Sequence, residues 1–516
     1  MIRRFFTVGG FTLLSRITGF VRDVVMAAVL GAGPIADAFF VAFRLPNHFR
    51  AIFAEGAFAA AFVPAYARTL EADGTRAARS FADRLALAMI VLQAVLLVIA
   101  LIYTPQVVRL LAPGLADDPS RFDLAVALTR ITFPYLALIS IETLIAGTLN
   151  ANNRFASAAG APVLLNLAMV GTLTYAALFP TAGHAAAWGV LIAGILQLAL
   201  VAGDAEKHGF GLRLKMPKLD EPTRKFLKAL GPAILGAGGV QLALFADTII
   251  ATFLPAGALS ALYYADRIHQ LPIGVVGIAV GTVLLPEMAR RLAAGDEQGA
   301  ARSQGRAIEF ALLLAVPCAA ASLLIPELIM RALFARGAFS AADAAAAGQT
   351  LAAYATGLIP FVLMRSFIAP FHARGDTATP VIAALSGVAL NIALKVTLMG
   401  SLAQVGLALA TAAGAWLNLV LLIWFARRRG FAKPGEKTAA HAIRILAAGA
   451  GLGAVVFAAA RLLAPYFAQM TSLRDEFLLL TLAALGGITY LALIWVLLGK
   501  SWFRALLRSA ESPPRP

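Results

Sequence analysis

Apolar windows of roughly 20 residues recur along the whole chain, and short charged stretches separate them. A helix needs about 20 mainly apolar residues to cross a bilayer, so the pattern predicts an all-α polytopic membrane protein. Fourteen transmembrane helices are predicted, at 8–30, 36–66, 84–104, 124–150, 159–180, 185–203, 227–254, 259–288, 307–327, 344–371, 379–399, 403–426, 441–463 and 477–499.

The overall composition supports this prediction. Of the 516 residues, 60% are hydrophobic and 14% are charged, against about 25% charged in an ordinary soluble domain. The net charge of +16 does not indicate a nucleic-acid partner, because cytoplasmic loops of a membrane protein are themselves rich in Lys and Arg. The single cysteine, Cys318, excludes an internal disulfide and a cysteine metal cluster.

The distribution of basic residues predicts the orientation. If the N-terminus is cytoplasmic, 29 of the 43 Lys and Arg residues fall in inside segments and six fall in outside segments. Cytoplasmic loops carry an excess of positive charge. We therefore expect a multi-pass protein with both termini in the cytoplasm.

The chain contains an internal repeat at an offset near 222 residues. Val63–Arg68 aligns with Leu285–Arg290, and Asn166 aligns with Asn391. Six spans per copy is an even number, so we expect two parallel six-helix repeats plus a C-terminal helix pair. The predicted divisions are an N-terminal lobe at 1–203, a cytoplasmic linker loop at 204–226, a C-terminal lobe at 227–428, and the last two spans with the tail at 429–516. Membrane proteins of this build are typically transporters that bind their substrate between the halves.

Arginines inside predicted spans indicate the kind of substrate. A charge at the bilayer centre costs about 2.5–3.5 kcal/mol on insertion scales, so such residues face water or a partner. Arg16 and Arg22 lie in the first span and Arg267 in the eighth. Either they pair with carboxylates such as Asp23 or reach the headgroups, or they bind an anionic ligand. Arginine's bidentate fork suits a phosphate.

A second set of charged residues is acidic. Asp247 lies in the seventh span and Asp376 at the start of the eleventh. These carboxylates could hold a sodium ion or carry a proton, or they could simply accept hydrogen bonds from nearby backbone. The chain has no catalytic motif in an exposed loop, which favours a transporter over an enzyme such as a membrane glycosyltransferase.

Several of these segments resemble the MurJ (MviN) lipid II flippases, over all fourteen predicted spans. The matching segments are Ser15–Asp23, Ala36–Asn47, Arg50–Phe58, Tyr263–Ile268, Gly337–Phe339 and Pro370–Pro380. The resemblance implies the multidrug/oligosaccharidyl-lipid/polysaccharide exporter fold in a bacterial inner membrane. It implies export of the undecaprenyl-diphosphate-linked peptidoglycan precursor, with a groove for the polyprenyl tail at the last two spans. The alternatives are a flippase for another polyprenyl-linked oligosaccharide and a cation-coupled drug exporter.

The resemblance also implies roles for individual residues. The substrate-binding residues would be Arg16, Arg22, Asp23, Arg50 and Arg267. The gating residues would be Asp37, Asn47, Glu55 and Ser260. The chain departs from sodium-binding members at His372, four residues before Asp376. No cofactor is expected, and coupling stays open between sodium, protons and the membrane potential. The expected partners are lipid II, membrane lipids and proteins of peptidoglycan synthesis.

Overall fold

The structure is a computed structural model that describes residues 2–50, 57–431 and 434–511. Within these ranges it describes no side chains at 2–7, 48–49, 235–243, 278–279, 282, 436, 501 and 503–511. The described residues form helices and turns and contain no strand. The predicted all-α fold is therefore confirmed for this part of the chain.

Nine helical segments among the described residues are long and apolar enough to cross a membrane. They cover most of ten of the fourteen predicted spans, because two of these fall on one long helix, and they cover residues 57–66 of the second. Of the other four predicted spans, the first, seventh and eighth each lie mainly on one helix, and the described residues of the second lie on two helices, Pro34–Arg50 and Ala57–Ile102. All four carry charged residues within the apolar window. The chain is thus a multi-pass membrane protein by length and composition.

The chain divides into two compact units, and the first comprises residues 1–260 and 336–340. Its helices are α1 (Ile2–Leu30), α2 (Pro34–Arg50), α3 (Ala57–Ile102), α4 (Thr104–Leu111), α5 (Pro119–Thr132), α6 (Pro134–Ala151), α7 (Ala156–Thr174), α8 (Ala182–Lys207) and α9 (Glu221–Thr252). The predicted loop at 67–83 is mostly helical and belongs to α3, which breaks at Gly74. Prolines at the starts of α4, α5 and α6 fit the first turn, where a backbone N–H has no intrahelical partner.

Aromatic side chains hold α3 and α9 together in the first unit. Phe62 stacks on Phe58 and on Phe81, with ring centroids 5.3 and 5.9 Å apart. Phe226 of α9 meets Phe58 edge-on at 5.6 Å. Such pairs stabilise by about 0.5–1.5 kcal/mol beyond the area they bury. The aromatic cluster thereby fixes the start of α9 against α3.

The second unit comprises residues 261–335 and 341–516. Its helices are α10 (Ala258–Ala293), which begins within the first unit, α11 (Glu297–Leu324), α12 (Pro326–Phe334), α13 (Ala341–Ala355), α14 (Leu358–His372), α15 (Ala378–Arg428), α16 (Glu436–Phe467) and α17 (Arg474–Glu511). Ala403 is non-helical inside α15, and this break falls at the first residue of the predicted twelfth span. Small and branched side chains from α10, α11 and α14 form a hydrophobic core in the second unit.

Backbone turns recur at the offset of the sequence repeat. Gly74 and Gly295 both adopt a positive φ, at 80° and 73°, and lie 221 positions apart. Gly209 and Gly430 do the same, at 74° and 68°, again 221 positions apart. Positive φ is favourable for glycine because it lacks a Cβ. The two units thus share the same local turns at corresponding places along the chain.

Candidate functional site

Arg22 is held in a buried polar cluster between α1 and α7. Its Nε and Nη2 donate to Asp23 Oδ1 at 3.1 and 2.7 Å, and its Nη1 donates to Asn166 Oδ1 at 3.0 Å. The Arg22 and Asp23 residues are 7% and 5% exposed. A buried arginine stays charged, and it is stabilised there only by a paired, hydrogen-bonded environment. The cluster therefore fixes the direction in which the guanidinium points.

Asn166 is the residue of this cluster that sequence reasoning did not single out. Its Nδ2 donates to the Ser15 carbonyl and to Thr18 Oγ1, both at 3.0 Å. At Gly19 a Cβ would lie 3.5 Å from Asn166 Nδ2, in ordinary contact. The only signal in the sequence was the alignment of Asn166 with Asn391 in the repeat. Asn166 thus links α7 to α1 and orients Arg22 at the same time.

The other predicted substrate-binding arginines lie in different surroundings. Arg16 is exposed and makes no ion pair within the described part of the chain. Arg50 is half-buried at the last residue of α2. In the second unit, Arg267 donates from Nη2 to Tyr263 Oη at 3.0 Å, and its guanidinium lies 4.6 Å from the Tyr263 ring centre. A tyrosine ring can hold a cation in this way without neutralising it.

Asp37 is the centre of a second buried cluster in the first unit. Its Oδ1 accepts from Ser260 N at 2.9 Å and from Ser260 Oγ at 2.6 Å. Its Oδ2 accepts from Gly257 N at 2.7 Å, and Arg121 Nη2 lies 3.4 Å away. Asp37 is 1% exposed and Ser260 is 0% exposed. The carboxylate thus joins the first turn of α2 to the start of α10.

Close backbone contacts join the 336–340 segment to α1. Ala338 N donates to the Ala28 carbonyl at 2.7 Å. At Gly337, which has φ 59°, a Cβ would lie 2.2 Å from that same oxygen. A side chain at Gly337 would therefore force the 336–340 segment away from α1. This explains in physical terms why the Gly337–Phe339 segment begins with glycine.

Of the remaining two predicted gating residues, the structure describes only Asn47, which is not among the contacts of Asp37. Asn47 Nδ2 donates to the Phe43 carbonyl one turn earlier in α2, at 3.0 Å. Glu55 lies outside the described residues. Of the four predicted gating residues, the structure therefore brings together Asp37 and Ser260.

Asp376 forms a hydrogen bond and an ion pair with other residues of the chain. Its Oδ1 accepts from Thr379 N at 3.0 Å, and its Oδ2 forms an ion pair with Arg429. Arg429 Nη2 also donates to Thr379 Oγ1 at 2.7 Å. The backbone hydrogen bond from Thr379, its side-chain hydrogen bond and then the charge of Arg429 outweigh burial and lower the pKa of Asp376. Asp247 is half-buried on α9, and among the described residues no group of three His, Cys, Asp or Glu side chains is placed to hold a metal.

An apolar cavity of about 230 Å³ lies within the second unit between α11, α16 and α17. Its lining includes Cys318 of α11, Ile325 just after the end of α11, Val456 of α16, and Leu479 and Leu482 of α17. The lining is almost entirely apolar, which suits a hydrocarbon chain rather than a polar ligand. The predicted C-terminal helix pair thus forms one wall of this cavity.

Many apolar helices, buried ionic clusters at helix junctions and a repeated helical plan are together typical of a polytopic membrane transporter. A sequence profile for "Lipid II flippase MurJ" matches residues 26–477. The chain belongs to the lipid II flippase MurJ family.

Individual relatives agree with this assignment. The chain is 45% identical to the "Probable lipid II flippase MurJ" of Rhizobium meliloti (strain 1021), over 82% of this chain and 80% of that protein. It is 43% identical to the "Probable lipid II flippase MurJ" of Rhizobium tropici, over 88% and 86%. The solved structure "Lipid II flippase MurJ, inward closed conformation" has the same fold, with a TM-score of 0.80, 23% identity, and 97% and 99% coverage.

Proposed function

We propose that this protein is a flippase that moves lipid II, the undecaprenyl-diphosphate-linked peptidoglycan precursor, from the inner to the outer leaflet by alternating access. Membership of the MurJ family over residues 26–477 is the observation that carries this proposal. The chemistry of the site agrees with it, because arginines inside predicted spans suit a diphosphate. The protein is a transporter rather than an enzyme and serves cell-wall synthesis.

In this proposal the diphosphate binds to arginines and the headgroup fills a wet cavity. Asp23 and Asn166 hold Arg22 in a fixed direction, which lowers the entropy lost when a phosphate binds. Arg16 offers an exposed guanidinium on the same helix. The substrate-binding set remains Arg16, Arg22, Asp23, Arg50 and Arg267.

The Asp37 cluster acts as one gate in this scheme. Its four contacts close a junction between α2 and the start of α10, and a transport cycle would have to break and remake them. Asn47 and Glu55 complete the proposed gating set. The apolar cavity at Cys318 is offered as part of the surface that receives the polyprenyl tail.

The proposed topology has fourteen transmembrane helices in a bacterial inner membrane, with both termini in the cytoplasm. The lobes are 1–203 and 227–428, joined by the cytoplasmic loop 204–226, and 429–516 adds the last helix pair and tail. The lobes are proposed as parallel six-helix repeats. The 29-to-6 distribution of Lys and Arg supports this orientation.

We propose that coupling does not rest on a sodium ion at Asp376, because Arg429 already supplies the positive charge there. Asp247 then remains as a carboxylate that could respond to protons or to the membrane potential. No cofactor is required. The proposed partners are lipid II, membrane lipids and proteins of peptidoglycan synthesis.

Complementation tests the proposal. A bacterium depleted of its own flippase is supplied with this chain or with Arg22→Ala, Arg22→Lys or Arg76→Ala, and survival and outward lipid II exposure are scored. Arg76 is exposed on α3 and makes no ion pair within the described residues, so its variant is the matched control. We expect the native chain and Arg76→Ala to complement, Arg22→Ala to fail, and Arg22→Lys to rescue in part.

Failure of the native chain, despite membrane insertion, would refute lipid II as the substrate. Exposure of a different polyprenyl-linked glycan in the same cells would then identify the alternative flippase. Full function of Arg22→Ala would refute the phosphate-binding role of Arg22 and leave the substrate assignment standing.

A further inference from the structure

The segment between α8 and α9 presents apolar side chains to the outside of the protein. We define the 213–219 loop as Arg213–Leu219, with the sequence RLKMPKL. Leu214, Met216 and Leu219 are 56%, 79% and 72% exposed. Three large apolar side chains this exposed within one short loop are unusual in a surface that faces only water.

The 213–219 loop is fixed at both ends by two adjacent residues of α3. Asp83 Oδ1 accepts from Arg213 N at 2.8 Å, and Asp83 Oδ2 lies 3.5 Å from Lys215 Nζ. Arg84 forms an ion pair with Asp220, the residue that follows the loop. The loop is therefore presented in a defined position on the first unit.

Further contacts stabilise each end of the 213–219 loop. Leu212, just before the loop, packs against the cores formed by α3 and α8. Asp220 caps α9 by accepting from Thr223 N at 3.1 Å. Burial alone would raise the pKa of Asp220, but the hydrogen bonds from Thr223 and the charge of Arg84 outweigh burial, so the pKa is lowered from its ordinary value. Asp220 is therefore ionised at neutral pH and keeps its pairing with Arg84.

Basic residues alternate with the apolar ones along the 213–219 loop. The Arg213 and Lys218 side chains make no ion pair with any residue that the structure describes, whereas Lys215 forms an ion pair with Asp83. Pro217 has no backbone N–H to donate, which disfavours addition of a partner strand along the loop. A surface of free cations and apolar side chains matches an anionic lipid surface, where headgroups meet hydrocarbon.

We propose that the 213–219 loop docks on anionic phospholipid headgroups of the cytoplasmic leaflet, with Leu214, Met216 and Leu219 entering the acyl boundary. The inference rests on the proposed topology, which places this loop in the cytoplasm. Each Lys or Arg near an anionic leaflet strengthens binding about fivefold. Docking would hold the start of α9 at a fixed depth, since Asp220 lies at the junction of loop and helix.

A site-specific probe tests this docking in the full chain. An environment-sensitive fluorophore is attached to Met216→Cys in a Cys318→Ser background, in vesicles of neutral phosphatidylcholine or with about one-third phosphatidylglycerol. Ala72→Cys is the matched control. Ala72 is exposed on α3 between two acidic residues, and it is predicted on the same side of the membrane as the 213–219 loop. We expect a blue shift and lipid-phase quenching at 216 in anionic vesicles, with neither at 72.

Charge variants sharpen the result. Arg213→Gln with Lys218→Gln should weaken anionic-lipid docking roughly 25-fold, from about fivefold per charge, and high salt should mimic them. Equal signals in neutral and anionic vesicles, or equal signals at 216 and 72, would overturn the proposal. A shift that needs an added membrane-protein extract would also overturn it and assign the loop to a protein partner.

Lipid II flipping is measured in the same vesicles, so that the two proposals fail separately. Docking without flipping by the native chain would refute the proposed function and leave the loop assignment intact. Flipping without docking would refute only the loop assignment. An impermeant quencher is added on one side of the vesicle membrane at a time. Quenching of the 216 probe only from the side that carries an N-terminal tag supports the topology on which docking rests. Quenching from the opposite side overturns the assignment of the 213–219 loop to the cytoplasmic leaflet.

Discussion

Replacing Asp37 with asparagine should open the junction between α2 and the start of α10. Asp37 accepts from Ser260 N, Ser260 Oγ and Gly257 N, and it faces Arg121 at 3.4 Å. An asparagine keeps one oxygen, so its NH₂ must face either the Gly257 or the Ser260 donors. One buried bond to a charged acceptor is lost, worth about 1.5–3 kcal/mol, and a buried donor is left unpaired.

We therefore expect the closed junction to lose about 3 kcal/mol, which corresponds to a rise of roughly 150-fold in the open fraction. Ser260→Ala removes only the hydroxyl bond of 2.6 Å and should have a smaller effect. Because both variants act on the same contact, their effects should not add in the double variant.

Thiol labelling of Ala36→Cys, in a chain without Cys318, measures this opening. Ala36 is fully buried beside Asp37, so its labelling rate follows the open fraction when opening and closing are fast. Asp296→Asn is the matched control, because Asp296 caps α11 in the other unit by accepting from Gly299 N at 2.7 Å. If Asp37→Asn labels no faster than Asp296→Asn, the Asp37 cluster is not a gate.

Three further predictions follow from other contacts. Asn166→Leu should raise the lipid II concentration needed for half-maximal flipping about tenfold or more, since Arg22 loses a charged hydrogen bond of about 1.5–3 kcal/mol; an unchanged value would show that Asn166 does not orient the arginine. The pKa of Asp376 is lowered from its ordinary value of 3.8, so its stabilising contribution is complete above about pH 4 and is lost as the pH falls through the lowered value. Thermal unfolding of Asp376→Asn should therefore show a smaller acid-side loss than the native chain, and identical pH profiles would contradict this. Cysteines at Asp117 and Lys215, in a cysteine-free background, should label differently with an impermeant reagent applied outside cells; labelling of 215 but not 117 would reverse the topology.

Much of the fold could be predicted from the sequence because lipid imposes a simple requirement. A backbone in hydrocarbon must satisfy its hydrogen bonds internally, so a long apolar window becomes a helix regardless of its neighbours. Where the structure describes them, the predicted spans accordingly lie mainly on helices, and turns with positive φ recur at the repeat offset, as at Gly74 and Gly295. The family resemblance was likewise readable from short segments such as Ser15–Asp23.

The partners of each charged side chain were decided only by the tertiary structure. The sequence indicated that Arg22 had to face water or a partner, but the choice of Asn166, 144 positions away, depends on how α7 packs against α1. The same is true of Asp37 and Ser260, 223 positions apart, and of Arg429 at Asp376. Hydropathy is a property of each window by itself, whereas a hydrogen bond requires two atoms within about 3 Å, and packing alone brings distant windows that close.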